Sequence, residues 1–229
     1  MQQTSYYQPS APSPASAAAV STITGSGLEV IGLECVRDDR VLFSGLNFTL
    51  EPGQARLVEG ANGSGKTTLL RAICGFVRPE QGTIRWWGQD IERVRLDFQA
   101  QIAYLGHAHG IKEELTTLEN LRVAQAMGAA REGVSPVQAL TRIGLEGFDQ
   151  ALVRTLSAGQ RRRVALARLL LTTSRLWILD EPFTALDKDG IKLVESLLDE
   201  HCTSGGMALI SSHHAVSLAC SVEEPIRFS

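Results

Sequence analysis

Charged residues are missing from the start of this chain, and long apolar runs are missing throughout it. Residues 1–27 contain no Asp, Glu, Lys or Arg and are rich in Ser, Ala, Pro and Gln. They fit neither a secretory signal, which needs basic residues before an apolar core, nor a transit peptide, which needs arginines. We expect a disordered tail here, because this composition cannot bury enough apolar surface to fold. A membrane-spanning helix needs roughly 20 apolar residues, so any membrane role is expected to be peripheral.

Cysteine is scarce, and neither sign of charge dominates. No C-x-x-C pair or zinc-finger spacing occurs among the four cysteines, which are Cys35, Cys74, Cys202 and Cys220. This pattern favours the reduced thiols of a cytosolic protein. The 22 basic and 25 acidic residues give a net charge of -3, which provides no basic surface for nucleic acid across the whole chain. We therefore expect no nucleic-acid partner.

From Leu28 onward, short apolar runs alternate with helical patterns. This alternation predicts an α/β layer fold, and 202 residues suit one domain, or one domain with a subdomain. Strands are predicted over residues 28–34, 46–50, 55–59, 82–87, 101–105, 176–180 and 207–211, and a helix over 66–74.

A helical subdomain is predicted over about 106–156, between the strands of the fold. Thr116 and Glu119 have the spacing of a capping box that opens a helix running through Met127. Ser135-Pro136 indicates the start of a second helix, with proline at its first position. The chain thus combines an α/β core with a helical insertion.

Residues 60–67 read GANGSGKT, which fits the phosphate-loop pattern G-x-x-x-x-G-K-[ST]. An apolar strand precedes this loop and a helix follows it, as triphosphate binding requires. Glycines let phosphate oxygens approach the backbone N–H groups, and the helix start offers further N–H donors. Lys66 supplies a positive charge for the β- and γ-phosphates. The predicted nucleotide-binding residues are Gly60, Ala61, Asn62, Gly63, Ser64, Gly65, Lys66, Thr67 and Thr68.

An acidic pair follows the buried strand in LWILDEP, residues 176–182. Asp180 emerges where a phosphate-loop protein holds Mg²⁺, and the Thr67 hydroxyl is the second predicted metal ligand. Successive strand side chains point in opposite directions, so Glu181 cannot share that task. Glu181 is instead placed to polarise the attacking water, as a catalytic residue.

The stretch LSAGQ, residues 156–160, lies between these two motifs and precedes RRRVALARLLL. Ser157 can cap a helix that starts at Ala158, which leaves that helix N-terminus and Gly159 free to face an anion. In sequence and order, these motifs resemble those of the ATP-binding cassette (ABC) ATPases. The resemblance implies a nucleotide-sandwich dimer of two copies, in which Ser157, Gly159 and Gln160 contact ATP held by the other copy.

Further roles follow from the same resemblance. Residues 185–187 (ALD) match the loop that communicates across the dimer, and His213, preferred over the adjacent His214, matches the catalytic switch histidine that senses the γ-phosphate. The basic run at 161–163 is interpreted as a solvated helix face, with a nucleic-acid patch as the alternative. A GTPase or kinase is disfavoured by LSAGQ and by the lack of an N-K-x-D motif.

Two positions depart from the usual ABC pattern. His107, in YLGHAHGIK, stands where most members carry a glutamine that touches Mg²⁺. Arg37 stands near the place of the aromatic residue that stacks on adenine, and a guanidinium can stack on a purine in its stead. His107 and His109 are interpreted as nucleotide-loop and interface residues rather than haem ligands, since the chain has no C-x-x-C-H motif.

The segments LFSGLNFTL and GHAHGIK resemble one ABC subfamily, the ATP-binding subunits of bacterial cytochrome c maturation systems. The resemblance covers nearly all of residues 28–229. It implies a P-loop ABC-ATPase core with a mixed sheet flanked by helices, and ATP and Mg²⁺ as cofactors. It also implies an integral membrane partner, a peripheral location on the cytoplasmic side of the inner membrane, and haem export or handling. The alternative, an ABC protein acting on nucleic acid or ribosomes, usually has two cassettes and a long charged linker, which this chain lacks.

Overall fold

The computed structural model describes residues 27–214 and 216–228. The predicted tail lies outside the described residues, apart from its last residue. Within the described ranges, none of the helices has the length and apolar content needed to cross a bilayer.

Nine strands, six α-helices and one 3₁₀ turn make up the described part of the chain. The strands are β1 (Leu28–Arg37), β2 (Arg40–Leu50), β3 (Gln54–Gly60), β4 (Gln81–Trp86), β5 (Gln89–Asp90), β6 (Ile102–Leu105), β7 (Leu176–Asp180), β8 (Met207–Ser211) and β9 (Ser221–Phe228). The helices are α1 (Lys66–Ile73), α2 (Arg95–Gln99), α3 (Thr117–Met127), α4 (Pro136–Arg142), α5 (Ala158–Leu170) and α6 (Lys188–Thr203), and the 3₁₀ turn is Val153–Thr155.

The strands form two sheets rather than one mixed sheet. The central sheet has five parallel strands in the order β6-β7-β8-β3-β9. The second sheet has four antiparallel strands in the order β2-β1-β4-β5. Parallel strands all end at the same edge of their sheet, so the residues that follow β3, β6, β7 and β8 are brought together.

Both faces of the parallel sheet are buried. On β7, Leu176 and Ile178 belong to a core that includes α1 and the antiparallel sheet, whereas Trp177 and Leu179 belong to a core that includes α3 to α6. This division follows from the alternation of side chains along a strand. It also explains the continuous apolar runs of β7 and β8, since a parallel sheet is covered on both sides.

The helices in the range 106–156 begin at the capping residues that the sequence predicts. Thr116 and Glu119 form the expected capping box of α3, which ends at Met127, and Ser135 caps α4 with Pro136 at its first position. The rest of the range consists of loops and the 3₁₀ turn. Residues of α3 and α4 pack with α5 in the same core as β7 and α6, and the division into a subdomain stays a prediction.

Candidate nucleotide-hydrolysis site

The cavity at the carboxyl edge of the parallel sheet collects most of the predicted site residues. The phosphate loop follows β3, Asp180 ends β7, and the segments after β6 and β8 carry His107 and His213. The cavity has a volume of about 580 Å³ and is lined by Arg37, Leu42, Asn62, Gly63, Gly65, Lys66, Thr67, Thr68, His107, Asp180, Glu181, Thr184 and His213.

The phosphate loop needs its glycines for two different reasons. At Gly60, with φ 149°, an added Cβ would lie 2.7 Å from the carbonyl oxygen of Phe228, so the neighbouring backbone excludes a side chain. At Gly63, with φ 82°, no described atom lies within 4 Å of an added Cβ. At that position the restriction comes from the positive φ, because L-residues other than glycine rarely adopt it.

Lys66 and the start of α1 give the loop its positive potential. The Lys66 ammonium donates to the carbonyl oxygens of Gly60, at 2.7 Å, and of Ala61, at 3.1 Å, so it folds the loop back over itself. The N-cap of α1 is Gly65, and no described side chain caps the helix. Its first N–H groups therefore remain available to an anion, as the sequence predicts.

The two predicted metal ligands are adjacent. The Thr67 hydroxyl donates to Oδ2 of Asp180 at 2.8 Å, and the Ser211 hydroxyl donates to Oδ1 of the same carboxylate at 2.6 Å. Asp180 is 2 % exposed, and these two bonds fix both of its oxygens. Sequence reasoning missed Ser211, although Asp180 and Ser211 are register partners on adjacent strands.

Glu181 is held in an unusual backbone conformation. Its φ is 52°, a left-handed value that is rare outside glycine. Its N–H donates to the Ser211 hydroxyl at 3.0 Å. Its Oε1 lies 3.2 Å from Nε2 of His213, yet this buried oxygen accepts no hydrogen bond of good geometry from any described residue. A buried carboxylate oxygen without a donor can accept a proton from a bound water.

His213 contacts the phosphate loop, and His214 does not line the cavity. Nε2 of His213 lies 3.1 Å from Nζ of Lys66 and 2.8 Å from Oδ1 of Asn62. One ring nitrogen cannot accept from Lys66 and donate to Asn62 at once, so the two contacts alternate with the state of the ring. This position supports the choice of His213 as the predicted sensor, and its catalytic role stays a prediction.

Arg37 and His107 also line the cavity, at its more exposed rim. The Arg37 guanidinium pairs with Asp38 at 3.5 Å, and its side chain is 73 % exposed, so it is free to reorient towards a bound base. His107 is exposed on the loop after β6. Both residues line the cavity, and their contacts with nucleotide and metal stay predictions.

The LSAGQ segment forms the start of α5, as expected. Ser157 is the N-cap, with its hydroxyl accepting from the Gln160 N–H at 3.2 Å and the Gln160 side chain accepting from the Ser157 N–H at 2.9 Å. An added Cβ at Gly159 would lie 2.7 Å from the carbonyl oxygen of Ala185. Among the described lining residues of the cavity, none comes from 157–160. This motif and the phosphate loop therefore do not share a cavity within one copy.

Interpreting 161–163 as a solvated helix face was wrong for Arg162. This side chain is 1 % exposed and donates to four backbone carbonyl groups beneath the cavity. Arg163 is also tied down, donating to Asp187 at 2.8 Å. Arg163 is only half-buried, and its partner Asp187 is largely exposed, so the three arginines do not form one solvated face.

Comparison with known proteins places this site in a family. The family model described as "ABC transporter" matches residues 43–184, more than half of the chain. The chain is 55 % identical to the "Cytochrome c biogenesis ATP-binding export protein CcmA" of Methylococcus capsulatus, over 82 % of this chain and 91 % of that protein. The chain belongs to the CcmA family of ABC transporter ATP-binding proteins. A protein of the same name from Nitrosococcus oceani is 50 % identical, over 84 % of this chain and 88 % of that protein.

A solved structure supports the CcmA-family assignment at the level of the fold. The "Putative ABC transporter (ATP-binding protein)" of Pyrococcus furiosus superposes with a TM-score of 0.74 at 28 % identity, over 86 % of this chain and 96 % of that chain. The predicted ABC-ATPase fold class and the resemblance to this family are confirmed. As a member of the family, the chain binds nucleotide and is an ATPase, and subunits of this kind work with membrane subunits.

Proposed function

We propose that this chain is the ATP-hydrolysing subunit of an inner-membrane complex that exports or handles haem during c-type cytochrome biogenesis. The names of its relatives carry the biological setting. Haem is the group attached to c-type cytochromes, which makes it the relevant cargo. The partner is an integral membrane protein, and the chain binds it peripherally on the cytoplasmic side.

The triphosphate of ATP is the substrate of the cavity. Its β- and γ-phosphates lie over the backbone N–H groups of the loop and the start of α1, and the Lys66 ammonium turns from the Gly60 and Ala61 carbonyl oxygens towards them. Arg37 stacks on the purine from the rim. In this arrangement the loop binds and orients the substrate, while Asp180 and Glu181, on the acidic side of the cavity, take part in hydrolysis.

Thr67 and Asp180 would hold Mg²⁺. A hydroxyl and a carboxylate 2.8 Å apart offer the oxygen ligands that this ion prefers. The bond from Ser211 to Asp180 keeps the carboxylate oriented when Thr67 turns to the metal. When bound there, the ion would supply charge neutralisation at the phosphates.

Glu181 orients the attacking water and takes its proton, and one observation carries this role. Its Oε1 is buried at the cavity, 3.2 Å from His213, and has no hydrogen-bond donor among the described residues. Since the strained backbone fixes this carboxylate in place, little reorganisation is needed when water arrives. His213 then donates to the γ-phosphate and links its presence to Glu181.

A second copy completes each site. Ser157 and the free N–H groups of α5 form an anion site that does not face the cavity of its own chain. We infer that they face the γ-phosphate of ATP held by the other copy. ATP thus closes the dimer, and hydrolysis opens it by separating the charges of the products.

The test is Glu181→Gln, which keeps the shape of the side chain and removes the base. We expect ATP turnover to fall at least 10²-fold, the usual contribution of a positioned general base, with nucleotide affinity retained. The variant should then accumulate as an ATP-bound dimer in size-exclusion chromatography with light scattering. The matched control is Glu114→Gln, an exposed carboxylate outside the cavity. Wild-type turnover in the Glu181 variant would contradict the proposed role.

The membrane setting has its own test. Affinity purification of the tagged chain from solubilised membranes should recover an integral membrane protein in fixed stoichiometry. ATP turnover by that complex should respond to haem. Recovery of ribosomes instead would favour the nucleic-acid class of ABC proteins over this proposal.

A further inference from the structure

Arg162 connects the two loops that flank the hydrolysis cavity. Its NH1 donates to the carbonyl oxygen of Gly106 at 3.1 Å, directly before His107. Its NH2 donates to the carbonyl oxygens of Asp180, at 2.9 Å, and Glu181, at 2.6 Å, and its Nε donates to that of Pro182 at 3.1 Å. One rigid guanidinium thus fixes the backbone at the ends of β6 and β7.

Burying the charged guanidinium of Arg162 costs free energy, which indicates that the placement of its hydrogen-bond donors is important. Burial lowers the pKa of Arg162 to about 10, with the charges of Asp180 and Glu181 opposing the shift. The guanidinium stays charged at neutral pH, but its direct partners are carbonyl oxygens and the Nδ1 of His109, at 3.3 Å. An apolar side chain would fill the same space without the desolvation penalty of a buried charge. An apolar residue cannot donate to four carbonyl oxygens, whereas the planar guanidinium holds them with one rigid group.

We call Arg162 and the groups that accept hydrogen bonds from its guanidinium the clamp. Glu181 is the residue whose position depends on this clamp. Left-handed backbone at a residue other than glycine is strained and persists only where its surroundings enforce it. The Ser211 hydroxyl holds the N–H of Glu181 from one side, and Arg162 holds its carbonyl oxygen from the other. Loss of either bond lets the peptide relax, and the carboxylate then moves away from the cavity.

We propose that Arg162 is a positioning residue for ATP hydrolysis, which sets the place of the Glu181 carboxylate and, through Gly106, of the loop that carries His107. This inference rests on the proposed role of Glu181. Arg162 lies five residues after Ser157 in the same helix, α5. The anion site offered to the second copy and the clamp on the hydrolysis site are therefore parts of one rigid element.

The experiment compares turnover with nucleotide affinity in Arg162→Lys. Lysine keeps the charge, but its ammonium is a single point that cannot reach Gly106 and the β7 end together. We expect kcat to fall about tenfold or more while the dissociation constant of a fluorescent ATP analogue changes by less than about twofold, the pattern of a transition-state defect. Arg142→Lys is the control, since this partly exposed arginine of α4 pairs with Glu200 outside the cavity.

A merely structural role for Arg162 would give a different result. In a folded variant, kcat within about twofold of wild type, or equal losses of turnover and nucleotide affinity, would overturn the proposal. If Arg162→Lys fails to fold, the proposal is tested with His109→Ala instead. That substitution removes one acceptor of the clamp and leaves the Arg162 guanidinium in place. We expect kcat to drop about two- to fivefold in that variant with nucleotide affinity unchanged, and an unchanged kcat would reject the clamp. Glu181→Gln is run in parallel, since full activity there defeats the proposed function itself.

Discussion

His201 is a buried titratable residue far from the chemistry of the site. Its ring stacks on Trp177 with centroids 3.9 Å apart and planes at 6°, and its Nε2 lies 3.1 Å from the carbonyl oxygen of Met207. This bond needs the N–H on Nε2, and the neutral ring provides it. Burial lowers the pKa of His201 to about 4. The unfolded chain therefore binds a proton here at a higher pH than the folded chain does.

From this difference we predict a pH-dependent loss of stability that His201→Phe removes. An unfolded-state pKa near 6.5 and a folded-state pKa of about 4 make the loss begin as pH falls below about 6.5 and continue to about 4. Between pH 7 and pH 5, His201 should cost about 2 kcal/mol of unfolding free energy. Urea titrations at both pH values should show wild type losing that much more than the variant, which keeps the aromatic stack.

His214→Gln is the control for His201, because His214 is an exposed histidine. Its stability should follow the wild-type dependence on pH. An equal loss of stability in wild type and His201→Phe would show that the buried ring titrates normally.

At the residue scale, sequence reasoning found groups whose role depends on a local motif. Lys66, Thr67 and Asp180 follow fixed spacings, and the structure brings them together. Arg162 could not be found in this way, because three consecutive arginines on a helix differ only in which face they occupy. Its burial depends on carbonyl oxygens that accept from it, at Gly106 and at the end of β7, which lie 56 and 18 to 20 residues away along the chain.

The helices α4 and α5 begin with the same Ser-x-x-Gln capping box. They differ in that only the start of α5 is proposed to face a nucleotide. Ser157 with Gln160 caps α5, and Ser135 with Gln138 caps α4 in the same capping-box geometry. Asp caps a helix about as well as Ser does. The pair of substitutions Ser157→Asp and Ser135→Asp therefore separates helix stability from contact with an anion.

We predict that both variants keep the unfolding free energy of the wild type within about 0.5 kcal/mol and that only Ser157→Asp loses activity. A carboxylate at Ser157 repels the γ-phosphate that the proposed dimer brings to it, so ATP turnover should fall at least about tenfold. Chemical denaturation and steady-state ATPase assays measure the two quantities. Equal turnover in the two variants would mean that the start of α5 meets no nucleotide.

Two of the elements that sequence reasoning missed, β9 and α2, have only weak sequence patterns of their own. The buried strands β7 and β8 were predicted with their observed ends because continuous apolar runs mark them. In contrast, β9 reads SVEEPIRF and lies at the edge of the parallel sheet, where one side needs no backbone partner and proline is tolerated. Its pairing comes from β3 rather than from an apolar pattern of its own. The short α2 likewise buries only Phe98.

For the whole molecule, the distribution of the site is the main consequence of the fold. The phosphate loop, Asp180 and Glu181 share a cavity because parallel strands end together. Ser157 begins a helix outside the described lining of that cavity. In the proposed dimer, each chain therefore supplies the two halves of different sites. A symmetric pair of copies would bring the phosphate loop of each chain to the Ser157 end of α5 in the other chain, which makes two composite sites.

Mixing two inactive variants should therefore restore activity if the halves come from different copies. Lys66→Ala disables the phosphate loop and leaves α5 intact, whereas Ser157→Asp does the reverse. In an equimolar mixture, half of the dimers pair one variant with the other, and each of these has one intact composite site. Turnover should rise from near zero to about a quarter of wild type per mole of chain, if sites act independently in a twofold dimer.

The control is the mixture of Lys66→Ala with Glu181→Gln, whose defects lie in the same cavity. In a dimer of these two variants, one composite site lacks its base and the other lacks its lysine. A mixture of Lys66→Ala and Ser157→Asp as inactive as its components, with heterodimers verified by mass spectrometry, would place both defects in one copy's site and contradict the shared arrangement.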